Sequence, residues 1–204
     1  MRGYFLLVLV ITSLGCTDFR YNATDHGEKL ILSARTMDFP TLEFTQVKLI
    51  PPGIEFQSRG TYDGVKWITS VGYLSFTSYG QNKTVDGLNQ CGLSCAVLTL
   101  METEYQSVEN ENNALGMSDI CDWILGQFCN SSDIPPNLRQ LRVYRNYLLP
   151  EIPCPLLHVS IHDRYGCSIV IEFIKGEQVY HDNNVGVLTN DPPYDWHIKN
   201  LANY

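Results

Sequence analysis

The chain is a succession of short runs enriched in β-branched and aromatic residues, each closed by a turn signal, and helical spacing interrupts them only past its midpoint. Residues 30–35, 44–50, 65–73 and 92–101 read as strands. Pro51-Pro52-Gly53 and Tyr62-Asp63-Gly64 mark turns between them. Ser118 is placed as the N-cap of a helix through 128, with Ile120, Ile124 and Phe128 on one face. Residues 137–148 read as a second helix, with Leu138, Leu141 and Tyr144 or Arg145 at its inner edge. Strands resume over 156–162, 167–174, 178–180 and 185–189, and Lys175-Gly176-Glu177 closes a hairpin. Pro192-Pro193 then opens a last helix in which Trp196, Leu201 and Tyr204 are apolar. Strands, a helix pair and strands again predict an α+β layered domain. The last helix meets the end of the sequence with no Gly, Lys or Arg in its final five residues to end it, which predicts that the folded unit extends further.

Ahead of the first strand stands a different signal. Arg2 supplies a positive start, 5–11 an apolar run, and Ser13 and Gly15 put small side chains three and one residues before Cys16. The run is about ten residues, too short to cross a bilayer. It predicts a leader over 1–15, removed on export, and a mature domain over 16–204 that starts Cys16-Thr17-Asp18-Phe19. A cysteine at a chain start carries an amine with a pKa of roughly 8, able to accept the proton of its own thiol. Nucleophile and base then share one residue. Two plainer readings stand beside this one. Cys16 is also just the residue that follows a leader, and Leu14-Gly15-Cys16 has the look of a lipid-attachment box, which would anchor the chain through Cys16 and consume the amine. Ser13 stands where that box usually carries Leu.

Seven cysteines suit an oxidising compartment. With Cys16 set aside, Cys91, Cys95, Cys121, Cys129, Cys154 and Cys167 suffice for up to three disulfides, whose pairing is open, and could equally be buried thiols. None stands with His at zinc-finger spacing, so no metal site is expected. Asn22, Asn82 and Asn130 head Asn-x-Ser/Thr triplets and are glycan acceptors if the export pathway is eukaryotic. A net charge of −8 argues against nucleic acid and against an anionic membrane surface as partners. At 44% hydrophobic and 18% charged, 204 residues can bury the core of one domain.

Four ordered segments carry a resemblance. They are Gly15-Cys16-Thr17, then Ser33 through Phe39 with Arg35 and Asp38, then Asp86-Gly87-Leu88-Asn89-Gln90-Cys91-Gly92-Leu93. The fourth and most specific runs from Asn183-Asn184-Val185-Gly186 through Asn190-Asp191-Pro192 and Trp196 to Tyr204. Together they resemble the choloylglycine hydrolase family, the bile salt hydrolases and penicillin V acylases. The resemblance implies an N-terminal-nucleophile hydrolase fold, an αββα four-layer sandwich, here without the family's C-terminal portion and the further arginine it carries. It implies a hydrolase of linear, non-peptide amides in which Cys16 is the nucleophile and Asp38 holds the free α-amine. By the same resemblance Arg35 is the cation near the thiol and Asn190 the side-chain oxyanion donor. The second oxyanion donor falls on the backbone N–H of Thr99, where relatives carry Asn or Tyr, so the side-chain contact does not carry over. Asn89 matches a turn asparagine and reads as structural. No cofactor is implied, and the partner is a small-molecule amide; a homo-oligomer is compatible with this. Bile salt conjugates, penicillin V, N-acyl amines and acyl-homoserine lactones all occur as substrates in the wider family. The alternative from another class is a secreted, non-catalytic member that keeps the scaffold for binding.

Overall fold

Alternation of side chains builds two antiparallel sheets that meet face to face. A computed structural model describes residues 15–25, 28–37, 45–78, 80–149 and 152–203. The strands of the first half are β1 (Thr17–Asp25), β2 (Glu28–Thr36), β3 (Gln46–Ile50), β4 (Glu55–Arg59), β5 (Asp63–Ile68), β6 (Tyr73–Thr77), β7 (Thr84–Asn89), β8 (Ser94–Thr99) and β9 (Ala114–Gly116). Two helices follow, α1 (Ile120–Gln127) and α2 (Ile134–Leu138). The second half holds β10 (Arg142–Tyr144), β11 (Tyr147–Leu149), β12 (Ile152–Pro153), β13 (Leu157–His162), β14 (Ser168–Ile174), β15 (Glu177–Asp182), β16 (Val187–Thr189) and α3 (Tyr194–Leu201). Seven strands form one sheet in the order β15-β14-β13-β8-β7-β6-β3, and three form another in the order β16-β1-β2.

The period of two sorts the large sheet into two faces. Cys95, Val97, Val159, Ile161, Ile169, Ile171 and Phe173 join Ile120, Ile124 and Leu125 of α1 and Ile134 and Leu138 of α2 in the larger core. The intervening Ala96, Leu98 and Val170 meet Cys16, Leu188 and Tyr194 in a smaller core against the three-stranded sheet. Helix, sheet and sheet are thus stacked in the order the four-layer expectation requires. On the far side of the three-stranded sheet, Phe19, Tyr21, Leu32 and Val187 are exposed.

Most strands lie where the sequence places them. The two-residue turn between β14 and β15 has Lys175 at φ 53° and Gly176 at φ 76°, and Ile174 pairs with Glu177 across it. Positive φ at both central positions is the hairpin geometry that matches strand twist. The expected strand 65–73 is two strands in different sheets. Between them Ser70 and Val71 donate their N–H groups to Gly126 O at the end of α1, so this segment leaves the ladder to cap a helix.

The expected helix 137–148 is overturned. Pro135 and Pro136 start α2 earlier, and the helix ends at Leu138. Gln178 of β15 donates to the carbonyls of Leu138 and Leu141, and Gln106 Oε1 accepts the Val143 N–H. These long-range partners divert the backbone into β10 and β11. Ser118 is not the cap of α1 either: Asp119 takes that position, while the Ser118 hydroxyl accepts from Asn146 Nδ2 at 2.7 Å.

Asn89 is structural, as its turn motif implies. Its Oδ1 accepts the N–H groups of Cys91 and Leu93, and its Nδ2 donates to the carbonyls of Leu125 and Phe128. One buried amide therefore ties the β7–β8 turn to the end of α1. Asn89→Ala strands those backbone groups and should cost about 2–4 kcal/mol. Thermal unfolding should show Tm lowered by roughly 5–15 °C; an unchanged Tm would contradict this role.

Candidate active site

Cys16 immediately precedes β1, the middle strand of the three-stranded sheet, and is held from both flanks. Thr189 Oγ1 of β16 donates to Cys16 O at 3.0 Å, and the Thr17 N–H donates to Thr36 Oγ1 of β2 at 3.1 Å. The side chain is buried in the smaller core and lines a cleft with Arg35, Met37, Val97 and Thr99.

Arg35 enters this cleft from β2, where it pairs with Asp18 of β1. Its Nη1 donates to Val85 O at 2.9 Å and its Nη2 to Val97 O. The β7–β8 ladder ends at Asp86 opposite Ala96, so the next rung would have paired Val85 with Val97. The guanidinium stands in that rung instead, satisfying both carbonyls while the strands part. Its Nη1 also lies 3.9 Å from Asp86 Oδ2, and its Nε is buried without a partner. Burial is the main cause that pushes the Asp86 carboxyl up to about 6; Asp18 adds to it and Arg35 opposes it.

Asn190 and Thr99, far apart in sequence, meet here: Asn190 Nδ2 donates to Thr99 Oγ1 at 2.5 Å. Asn190 follows β16, whose Thr189 pairs with Thr17, so one step further along that register it stands across from Cys16. An amide nitrogen has two donors, and one remains after the Thr99 contact. The Thr99 N–H is placed by strand chemistry. Leu100 N–H donates to Leu156 O and Leu157 N–H to Tyr105 Oη, so Thr99 and Leu157 face each other without ladder bonds. The Thr99 N–H therefore points away from β13, the way Val97 O points to reach Arg35.

Sequence reasoning missed Asp18. Its buried Oδ2 accepts from Ser160 Oγ at 2.5 Å and lies 2.6 Å from His162 Nε2, while His162 Nδ1 lies 2.8 Å from Ser168 Oγ. This latch joins β1 to β13 two residues from Cys16. The signal was present in His158-Val159-Ser160-Ile161-His162, polar at every second place and wholly buried. Glu172 is the counterpart on β14. Burial opposes its ionisation, yet His158, His181 and the Tyr194 N–H together pull its carboxyl down to about 2.

Asp38 and residues 1–14 of the expected leader over 1–15 lie outside the described residues. Asn22 and Asn82 are exposed, and Asn130 Nδ2 donates to Asp133. Among the described residues no three His, Cys, Asp or Glu side chains gather as a metal site, and no helix is long and apolar enough to cross a membrane.

The raised Asp86 carboxyl gives a signed pH dependence. A folded-state value of about 6 against an ordinary 3.8 means its contribution to stability is full below pH 3.8 and lost as pH rises through about 6. Asp86→Asn should therefore flatten the fall in Tm between these limits and raise Tm above them. A pH series of melting curves checks this, and parallel profiles for the two proteins would contradict it.

The family model for linear amide C–N hydrolases of the choloylglycine hydrolase family matches residues 16–204. The bile salt hydrolase/transferase of Clostridium perfringens is 34% identical over 122 residues, which cover 58% of this chain and 37% of that protein. The penicillin V acylase of Pectobacterium atrosepticum is 28% identical over 193 residues, covering 90% of this chain and 51% of that one. A mutant conjugated bile acid hydrolase from Clostridium perfringens superposes with a TM-score of 0.81 at 27% identity, covering 93% of this chain and 57% of its own. Penicillin V acylase from Agrobacterium tumefaciens superposes at 0.79 with 26% identity, over 92% and 56% of the two chains. The chain spans about half the length of these relatives, and over that span it shares their N-terminal-nucleophile hydrolase fold. From its first matched cysteine to its end, the chain belongs to the choloylglycine hydrolase family of linear amide C–N hydrolases.

Proposed function

We propose that the protein, exported and cut before Cys16, hydrolyses a linear amide through that cysteine. The observation that carries this reading is convergence: Cys16 just before β1, Arg35 of β2, Thr99 of β8 and Asn190 just after β16 come to one end of the two-sheet stack. The chemistry follows from the groups. The freed α-amine takes the thiol proton, and Sγ attacks the amide carbonyl carbon. Negative charge forming on the carbonyl oxygen is met by the remaining Asn190 Nδ2 donor and the Thr99 N–H. Collapse breaks the C–N bond, and the leaving amine takes the proton from the α-ammonium. Water, deprotonated by the same amine, then hydrolyses the thioester and restores the thiol. In this scheme Asp38 steadies the amine, and Arg35, anchored on two carbonyls, presents its charge to the polar part of the substrate.

The walls of the cleft narrow the substrate class. Met37, Val97, Met117 and Leu157 make them largely apolar, which suits an acyl group of low polarity. Bile salts and penicillin V, named for the relatives, both offer one. Export would also expose the Asn22 and Asn82 acceptors, and in a eukaryotic secretory pathway each would carry a glycan.

The test begins with N-terminal sequencing of the purified protein, expected to read Cys-Thr-Asp-Phe, and its mass, expected to show no lipid on Cys16. A thiol-reactive acyl amide should then label Cys16 stoichiometrically, and Cys16→Ala should abolish amine release. Asn190→Ala should lower kcat by about 10²–10³ with little change in KM, as loss of one oxyanion donor does. Full turnover by Cys16→Ala, or by protein that retains its leader, would overturn the scheme. No labelling of correctly processed protein would favour the scaffold-only reading.

A further inference from the structure

One crosslink and one close thiol pair lie along the same two elements. Cys91, in the turn before β8, is joined to Cys129, just beyond α1, with their Cα atoms 5.2 Å apart. Cys95 stands four residues further along the strand side, and Cys121 eight residues back along the helix side. Cys95 lies within β8 and Cys121 within α1, whereas Cys91 and Cys129 lie in the turns beyond the adjoining ends of these elements. Strand and helix run on side by side from that crosslink, and the second pair meets further along them.

The Sγ atoms of Cys95 and Cys121 are 2.8 Å apart, closer than two unbonded sulfur atoms pack. Both side chains are 0% exposed, in the larger core between α1 and the sheet. Burial pushes the Cys95 thiol well up, with Cys121 adding to the shift. A pair of thiols in this place has no use for its polarity, and closing it removes two weak donors from an apolar core.

We propose that Cys95 and Cys121 form a second disulfide, which with Cys91–Cys129 makes a two-rung staple of α1 onto β8. The oxidant is a small-molecule disulfide such as oxidised glutathione, acting while the chain is still open. The Cys95 thiolate attacks it and expels one thiolate. Cys121 then attacks the Cys95 sulfur of the mixed disulfide and expels the second. Two cysteine thiols lose their protons and two electrons, and the small disulfide leaves as two thiols. The free cysteines that remain are Cys16, Cys154 and Cys167. The staple bears on the site because β8 carries Thr99 at its far end.

Mass spectrometry of the full chain, refolded from the reduced state in a glutathione couple and alkylated under denaturing conditions, tests this. All four cysteines share one tryptic peptide, because no Lys or Arg lies between Lys83 and Arg139. Chymotryptic cleavage after Leu93 and Trp123 separates the pairs, and cleavage after Tyr105 divides Cys95 from Cys121. The expected product is a crosslinked peptide pair holding Cys95 and Cys121, with alkyl groups only on Cys16, Cys154 and Cys167. Alkylation of both Cys95 and Cys121 alongside an intact Cys91–Cys129 crosslink would overturn the proposal. Cys91→Ala/Cys129→Ala, which keeps only the proposed pair, gives a second reading. Its Tm should still fall by about 5–15 °C on reduction, and a Tm indifferent to dithiothreitol would count against the bond.

Discussion

The arrangement rests on how β1 is docked against the large sheet. An apolar strand could slide or tilt on the face made by Ala96, Leu98 and Val170, because dispersion and hydrophobic burial have little directional preference. Asp18 removes that freedom. Its buried carboxylate takes the Ser160 hydroxyl and His162 ring of β13, and a buried carboxylate displaced from such partners would be left uncompensated. Cys16 sits two residues upstream on the same face of the strand, so the latch that sets β1 also sets the sulfur. Thr189 and Thr36, one on each neighbouring strand, complete the constraint.

A second constraint opens the cleft that Cys16 faces. Antiparallel strands zip until something stops them, and here the stop is a side chain. Arg35 places two donors where the Val85–Val97 rung would form, so the strands diverge without orphaning either carbonyl. The same residue brings positive charge to the floor of the cleft, and Asp86 partly balances it. An arginine suits this place because its planar fork serves two acceptors at once. Fold and site therefore share one residue, and its loss would be felt as both missing charge and a closed ladder.

The parts of this protein that were legible from its residues are those whose cause is local. Lys175-Gly176 specifies a hairpin because both residues need positive φ. Ile120, Ile124 and Phe128 announce α1 because apolar side chains recur every four residues, although Phe128 caps the helix rather than continuing it. Asn89, marked as a turn residue by the family resemblance, has a local cause as well, since its side chain bonds the backbone two and four residues on. Where the expectations failed, distant partners decided the outcome. The segment 137–148 has helical spacing, yet Gln178 and Gln106 take its backbone groups from outside. The stretch 65–73 looks like one strand, yet Gly126 draws its middle away.

The order of motifs alone determined the family, the candidate nucleophile and three of the residues gathered around it, because ordered segments shared with a family carry its residue positions with them. Only the folded chain revealed what holds them. Asp18 acquires a role once β13 lies beneath it, Arg35 once two strands part around it, and Thr99 once ladder geometry turns its N–H outward. Cys95 finds Cys121 only because a strand and a helix run side by side through the core. Each of these depends on contacts between residues far apart in the sequence, and local periodicity carries no information about which distant surfaces will meet.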